Sequence, residues 1–206
     1  MGYVNNFIIG ILDFFYKLTG NYGVALILFT VIVKLILYPL THQQFKALKD
    51  QQRIQPELNK LREKYKDDPQ KLNQEMMELY RRHKINPLGG CLPLLIQFPI
   101  LAILYSAINA YSSKFANASF LWIKSLASPD LPLLIIYGIS MVASSFLSSP
   151  LSDDSSQRSS QLFMNIGLPI IFTVLFRGFP SAFILYWFVF NILTTIQQVY
   201  VMRVLK

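Results

Sequence analysis

"LILFTVIVKLILYPL", Leu26 to Leu40, decides how the chain is read. Its strongly polar members are Thr30 and Lys34, four apart and so on one face of a helix. A soluble helix would carry such a lysine on a solvated face, but the residues three and four away are mostly apolar and leave no such face. Burying an ammonium in hydrocarbon costs roughly 2.5–3.5 kcal/mol on insertion scales. Snorkelling to the interface is one account of it. Lys34 stands six residues before Leu40, about 9 Å from the nearer edge by helix rise. Its Cα–Cβ bond tilts toward the helix N-terminus, away from that edge. No acidic residue lies in any apolar block to pair with it. The segment is therefore read as a membrane span whose cation lines a water-filled groove.

Outward from this stretch, the 206 residues are 53% hydrophobic with a mean hydropathy of +0.39, a total that decides little by itself. Distribution decides more. The apolar residues fall in blocks mostly long enough to cross a hydrocarbon core roughly 30 Å thick: Val24–Leu40, Leu92–Tyr111, Leu131–Ser149, Leu162–Phe176 and Ala182–Met202. The fourth is short and contains Pro169. Transmembrane β-strands would need alternating segments of about ten residues, which these are not. The expected class is an all-α polytopic membrane protein with five transmembrane helices around a hydrophilic groove, a cytoplasmic helical hairpin and an N-terminal interfacial helix.

Residues 1–20 lack the basic start of a signal peptide. Val4, Phe7, Ile8, Ile11, Leu12, Phe15 and Leu18 recur at helical spacing, interrupted by Asn5, Asn6, Asp13 and Lys17, which suits an amphipathic helix in the interface plane; a short sixth span is the alternative. The rest, 21–206, is expected to form the membrane core, with 42–86 as its hairpin. Thr41–Asn86 holds eleven Lys/Arg and seven Asp/Glu and must lie in water. Leu58, Leu61 and Tyr65 form one stripe, and Leu72, Met76 and Leu79 another. Between them Asp68 can cap the second arm and Pro69 suits its first turn. Pro56 is expected to bend or restart the first arm.

Lys and Arg concentrate on the cytoplasmic side. With the hairpin inside, fourteen Lys/Arg lie inside and Lys17, Lys114, Lys124 and Arg177 outside, which puts the N-terminus outside and the C-terminus in the cytoplasm. The loop "SPLSDDSSQRSSQ" is polar and expected to be mobile. The net charge of +8 is explained by this topology and by anionic headgroups. Sequence-specific nucleic-acid binding is not expected, although ribosomal RNA stays open as a partner of the hairpin. A lone Cys91 excludes an intramolecular disulfide and multi-cysteine metal sites. "LGGC" at Leu88–Cys91 follows a charged segment and is not read as a lipoprotein box. No cofactor, metal or catalytic set is expected, and the protein is not read as an enzyme.

In the last block Trp187, Asn191, Thr194 and Gln198 step by four, three and four, a polar-aromatic stripe that needs partners or water in hydrocarbon. Gln97 lies early in the second block. Interhelical hydrogen bonds that only glue the bundle would satisfy such groups at about 0.6 kcal/mol each. Convergence on one wet cavity would satisfy them together with Lys34.

At this point the sequence resembles the YidC family of membrane protein insertases, shared with mitochondria and chloroplasts. The resemblance runs from about Gly20 to Met202 and rests on "GNYGVALILFTVIVKLILYPLT", "QEMMELYRRHKINPLGGCLPLLIQFPI", "FLWIKSLASPDL" and "FPSAFILYWFVFNILTTIQQ". It implies insertion and folding of nascent membrane proteins in the bacterial plasma (inner) membrane, within the lipid bilayer, alone or beside the Sec translocon. The signal recognition machinery and the ribosome are further partners it leaves open. Lys34, Thr30, Gln97, Tyr186, Trp187, Asn191 and Thr194 are the expected groove residues; Tyr65, Met76 and Met77 are expected to recruit on the hairpin. The family usually has arginine where Lys34 stands, so charge is kept but the planar fork is not. Many bacterial relatives carry a large periplasmic domain ahead of the core, where about twenty residues stand here, and "RVLK" after Met202 is no long basic tail. A small-solute or anion transporter with Lys34 as binding site is the competing reading, although no internal repeat of the kind common in transporters is evident.

Overall fold

The structure is a computed structural model that describes residues 2–85, 92–148 and 155–204. The described residues fold into helices α1 (Gly2–Thr19), α2 (Tyr22–Lys64), α3 (Pro69–Arg82), α4 (Leu92–Ala110), α5 (Ser112–Ala116), α6 (Leu131–Ser148), α7 (Ser155–Leu162), α8 (Leu168–Leu175) and α9 (Ser181–Val204). A π-helical turn, Phe163–Gly167, joins α7 to α8, and a 3₁₀ turn, Phe176–Gly178, follows α8. Among the described residues, four helical stretches are long and apolar enough to cross a membrane: α2, α6, Arg158–Gly178 and Ser181–Met202. The other expected span, α4, contributes Gln97–Ala110 as a shorter apolar helix. Cys91 and "LGGC" lie outside the described residues. Within the serine-rich loop, Ser155–Leu162 is helical rather than irregular.

The protein divides into two units. The first is Met1–Leu37 with Pro99–Val199. Its apolar centre joins Ile8, Ile9 and Leu12 of α1, Leu26 and Phe29 of α2, Leu104 and Ile108 of α4, Tyr137 of α6 and Phe183–Tyr186 of α9. α1 is thus packed into this unit, and its polar residues are the ties. Asn5 Nδ2 donates to Ser106 Oγ at 2.9 Å, Tyr111 Oη donates to Asn6, and Asp13 accepts from Lys114 Nζ at 2.5 Å and Tyr22 Oη at 2.7 Å. Tyr3, Phe7, Phe14 and Leu18 are left exposed. Asn5, Asn6 and Asp13 thus tie α1 to the rest of the unit, while Lys17 is exposed beside these apolar side chains.

Gly20, at φ +70°, turns the backbone from α1 into α2, a conformation open to glycine at little cost. Asp130 Oδ1 accepts from the Leu133 N–H at 2.8 Å and caps α6. The loop before α6 supplies the start of α9: the Ser181 and Ala182 N–H groups donate to the Ser128 and Leu126 carbonyls, both at 2.9 Å, which satisfies donors a helix start leaves unpaired. α6 and α8 approach closely at Gly138, where a Cβ would fall 2.7 Å from Thr173 Oγ1, the small-residue contact that lets membrane helices pack by dispersion.

The second unit is Tyr38–Phe98 with Tyr200–Lys206. Ile54 and Leu58 of α2 meet Leu79 of α3, with Leu61, Met76, Tyr80 and Ile85 around them, so the two stripes close on each other as a hairpin. Asp68 caps α3 by accepting from the Lys71 N–H at 3.0 Å, with Pro69 in the first turn. Pro56 neither breaks nor restarts α2, which stays helical through Pro39 and Pro56 over 43 residues. Lys49 Nζ donates to the Met202 carbonyl at 3.2 Å near the end of α9, where unpaired carbonyls and the negative end of the helix dipole favour a cation.

Candidate functional site: a polar cavity beside a buried lysine

The first unit carries an open cavity of about 450 Å³. Its lining comes from α6, the α7–π-turn–α8 stretch and α9: serines 144, 145, 148 and 160, Gln161, Asn165, Asn191, Thr194, Thr195 and Gln198, with Met141, Met164 and Leu168 as the apolar part. The sequence of α6 repeats serine every fourth residue at 140, 144 and 148, which stacks the hydroxyls on one face. Each returns a bond to its own helix, as Ser144 Oγ does to the Ser140 carbonyl at 2.8 Å and Ser148 Oγ to the Ser144 carbonyl at 2.8 Å. They also reach across to α9. Ser144 Oγ lies 3.0 Å from Asn191 Oδ1 and 2.6 Å from Thr195 Oγ1, and Ser148 Oγ lies 3.0 Å from the Gln198 carboxamide.

Asn165 reaches the cavity through the π-turn. The Leu168 N–H bonds the Phe163 carbonyl, five residues back. Pro169 has no N–H to give the Asn165 carbonyl, its ordinary partner four residues back. One extra residue in the turn re-aims the side chains around it, as such turns do at functional sites. Asn165 ends 2% exposed among the lining residues.

Lys34 is 5% exposed and does not line the cavity. Its Nζ donates to Thr194 Oγ1 at 2.9 Å and stands 4.9 Å from the centre of the Phe190 ring. Thr194, which does line the cavity, passes its own proton to the Phe190 carbonyl at 2.7 Å. The hydroxyl therefore stands between the ammonium and the cavity. Among the described residues no carboxylate pairs with Lys34. The expectation of an open, groove-lining cation is corrected to a buried one, because Phe190 and Thr194 of α9 close over it.

The other expected groove residues separate. Asn191 and Thr194 line the cavity. Thr30 is fully buried and donates to the Leu26 carbonyl at 2.7 Å, a back-bond within α2. Tyr186 is fully buried against Phe29 and Phe190, so it is a core residue. Trp187 lies beside Tyr137 and Phe176, and its buried Nε1 finds no acceptor among the described residues. Gln97 is buried in the second unit. Ser144, Ser148, Asn165 and Thr195 escape the sequence reading; the four-residue serine repeat is the available signal.

On the hairpin, Tyr65 is flanked by the ammoniums of Lys64 and Lys71, 5.0 and 5.3 Å from its ring centre. Met77 is exposed, whereas Met76 is half-buried against the hairpin's own apolar centre. Among the described residues no group of three or more His, Cys, Asp or Glu gathers to hold a metal ion.

The profile of the 60Kd inner membrane protein family matches residues 14–206. The chain belongs to the 60Kd inner membrane protein family. Among similar proteins, membrane protein insertase YidC of Geobacter sulfurreducens is 46% identical over 195 residues, which cover 93% of this chain and 36% of that protein. Membrane protein insertase YidC of Nitratidesulfovibrio vulgaris is 38% identical over 213 residues, 98% of this chain and 39% of that protein. The crystal structure of an active YidC insertase with its first transmembrane domain resolved superposes with a TM-score of 0.75 at 35% identity, covering 93% of this chain and 45% of that one. The chain thus spans a little over a third of the length of these curated relatives. In this 60Kd inner membrane protein family member, the polar cavity sits in a fold otherwise dominated by apolar helices.

Proposed function

We propose that the protein inserts and folds newly made proteins in the bacterial inner membrane, with its N-terminus outside and its C-terminus in the cytoplasm. The observation that carries this reading is the cavity of about 450 Å³, walled by hydroxyls and carboxamides, within helices apolar enough to span a bilayer. A client segment with a polar or acidic tail must cross low dielectric, and a polar recess shortens that path. Lys34, one hydroxyl away at Thr194, adds a positive potential that strengthens as water leaves. The apolar part of the client then leaves for lipid by hydrophobic transfer. No covalent step is involved. Partners are nascent membrane proteins and the bilayer, with the Sec translocon, signal recognition machinery and ribosome as candidates for delivery to the basic hairpin. The name insertase, carried by similar proteins, supports this reading. The test is depletion in cells followed by protease mapping of newly made small membrane proteins. Loss of client topology is expected; unchanged topology with altered solute uptake would point to a solute carrier instead.

A further inference from the structure

We propose that the turn Phe120–Ile123 is a membrane anchor: Leu121 and Trp122 enter the boundary between lipid headgroups and acyl chains at the level where α6 and α9 begin. The turn opens "FLWIKSLASPDL", a stretch that contributes no residue to the cavity or to the hairpin's apolar centre. The proposal goes beyond the insertase reading and does not depend on it.

Phe120 and Ile123 exchange backbone hydrogen bonds at 2.9 and 2.8 Å, so Leu121 and Trp122 are the two central residues of a tight hairpin turn. Leu121 stands at φ +51° and Trp122 at a negative φ. A positive φ at the first central position alone is the type II′ pattern, which normally takes glycine there. A leucine side chain crowds the backbone in that region. Packing inside the chain does not offset this cost, because Leu121 is 75% exposed. Trp122 is 49% exposed, and its indole N–H donates to Asp130 Oδ1 at 3.2 Å. The next apolar residues along the loop, Ile123 and Leu126, are buried. The turn thus displays two bulky apolar side chains at a conformational cost, and what they gain lies outside the chain.

The level of the tip follows from what the loop joins. Asp130, bonded to the Trp122 indole, also caps α6 at the Leu133 N–H. The Ser128 and Leu126 carbonyls receive the first N–H groups of α9, and Ser181 Oγ donates to the Ser125 carbonyl at 3.0 Å. Two helices long and apolar enough to cross a membrane therefore start from this loop, which sets the turn at the edge of the hydrocarbon region. An exposed leucine gains there by leaving water for acyl chains. A tryptophan with its N–H bonded suits headgroup level, and the exposed Lys124 carries a charge that lipid phosphates attract. A stable protein interface takes about 20–30 residues a side, far more than this tip offers. The bonds to α6 and α9 make the anchor rigid, so it fixes the height of both helices in the bilayer.

The test uses the full chain reconstituted in vesicles of phosphatidylcholine and phosphatidylglycerol. The chain has two tryptophans, Trp122 and Trp187, and Trp187→Phe leaves the first as reporter. Its emission is expected at shorter wavelength than that of tryptophan in water. Lipids brominated near the top of the acyl chain should quench it more than lipids brominated near the chain's end, and aqueous iodide should hardly quench it. Leu121→Asn accepts the same φ and removes the apolar side chain; Leu121→Gly removes the strain as well. Both variants are expected to stay protease-resistant while Trp122 emission moves to longer wavelength and loses most of its quenching by bromine. Unchanged emission and quenching in these variants overturns the proposal. So does a Trp122 that iodide quenches and brominated lipid does not, a result that would leave the tip to a protein partner. If Trp187→Phe does not fold, a nitroxide attached to Leu121→Cys in a Cys91→Ser chain carries the same test. Relaxation by oxygen above that by a water-soluble nickel chelate is expected, and the reverse is equally decisive against.

Discussion

Lys34 exchanges water for one hydroxyl and one aromatic face. That exchange makes it a source of potential rather than a contact, and its substitutions should separate the two. Lys34→Arg should retain insertion, because a guanidinium stacks on Phe190 and donates to Thr194 as well or better. Lys34→Ala should leave helix assembly unchanged or firmer, since it removes an intramembrane charge, while insertion of acidic-tailed clients falls severalfold and neutral-tailed clients are spared. Matched expression with a protease-protection assay on both clients checks this. Asp13 offers a second residue-level test. Burial raises its carboxyl pKa, but hydrogen bonds from Lys114 and Tyr22 more than offset this and hold it below the ordinary 3.8. A depressed carboxyl stabilises the fold above its unfolded value and loses that contribution as pH falls through the folded value. Amide protection of α1 should therefore be full at neutral pH and fall below about pH 4. Asp13→Asn should lower protection at neutral pH and flatten that dependence, as hydrogen exchange would record.

Among the elements, the π-turn and the hairpin carry different burdens. Pro169→Ala restores an N–H that can reach the Asn165 carbonyl, so the turn is free to regularise and rotate Asn165 out of the cavity. A cysteine placed at 165 in a Cys91→Ser background should react slowly with a small maleimide, because the site is 2% exposed, and its rate should change when Pro169→Ala is added; an unchanged rate would place the cause of the turn elsewhere. In the hairpin, Leu58 is 2% exposed between the arms, so Leu58→Ala should cost about 2–4 kcal/mol of local stability, the usual toll of a buried truncation. Protease cleavage between α2 and α3 should rise accordingly. The long α2 shows how far local rules reach. The hairpin's cap and stripes are legible in its residues, but Pro56 reads there as a bend or a restart. A single proline costs about 3 kcal/mol in a helix interior, and the surrounding packing of Ile54, Leu58 and Leu61 holds the helix together across it.

For the whole molecule, charge concentrates in the hairpin and apolar residues in the helices long enough to span a membrane. Removing the tip, Tyr65–Gln70, should leave the membrane helices assembled and protease-resistant while lowering client insertion in cells, if Tyr65, flanked by Lys64 and Lys71, meets the delivery machinery. Collapse of the membrane helices on that deletion would mean the hairpin is part of their fold. Block length and charge placement are enough to establish a helical membrane protein, a water-exposed hairpin and a cation in need of explanation. Those properties are local: transfer free energy accumulates residue by residue along one helix. Which polar groups meet is not local. Serine and threonine in a membrane helix can bond their own backbone, so the serine repeat of α6 does not by itself mark Ser144 and Ser148 as a site until α6 meets α9. Tyr186 and Trp187 are sequence neighbours, yet Tyr186 is fully buried and Trp187 is not. The closing of Phe190 and Thr194 over Lys34 likewise joins α2 to a helix far along the sequence, Lys34 and Thr194 being 160 positions apart. That a charge is held among apolar helices follows from residue order alone. That it is covered follows from the fold, because burial is set by the helix that faces a residue and not by the residue itself.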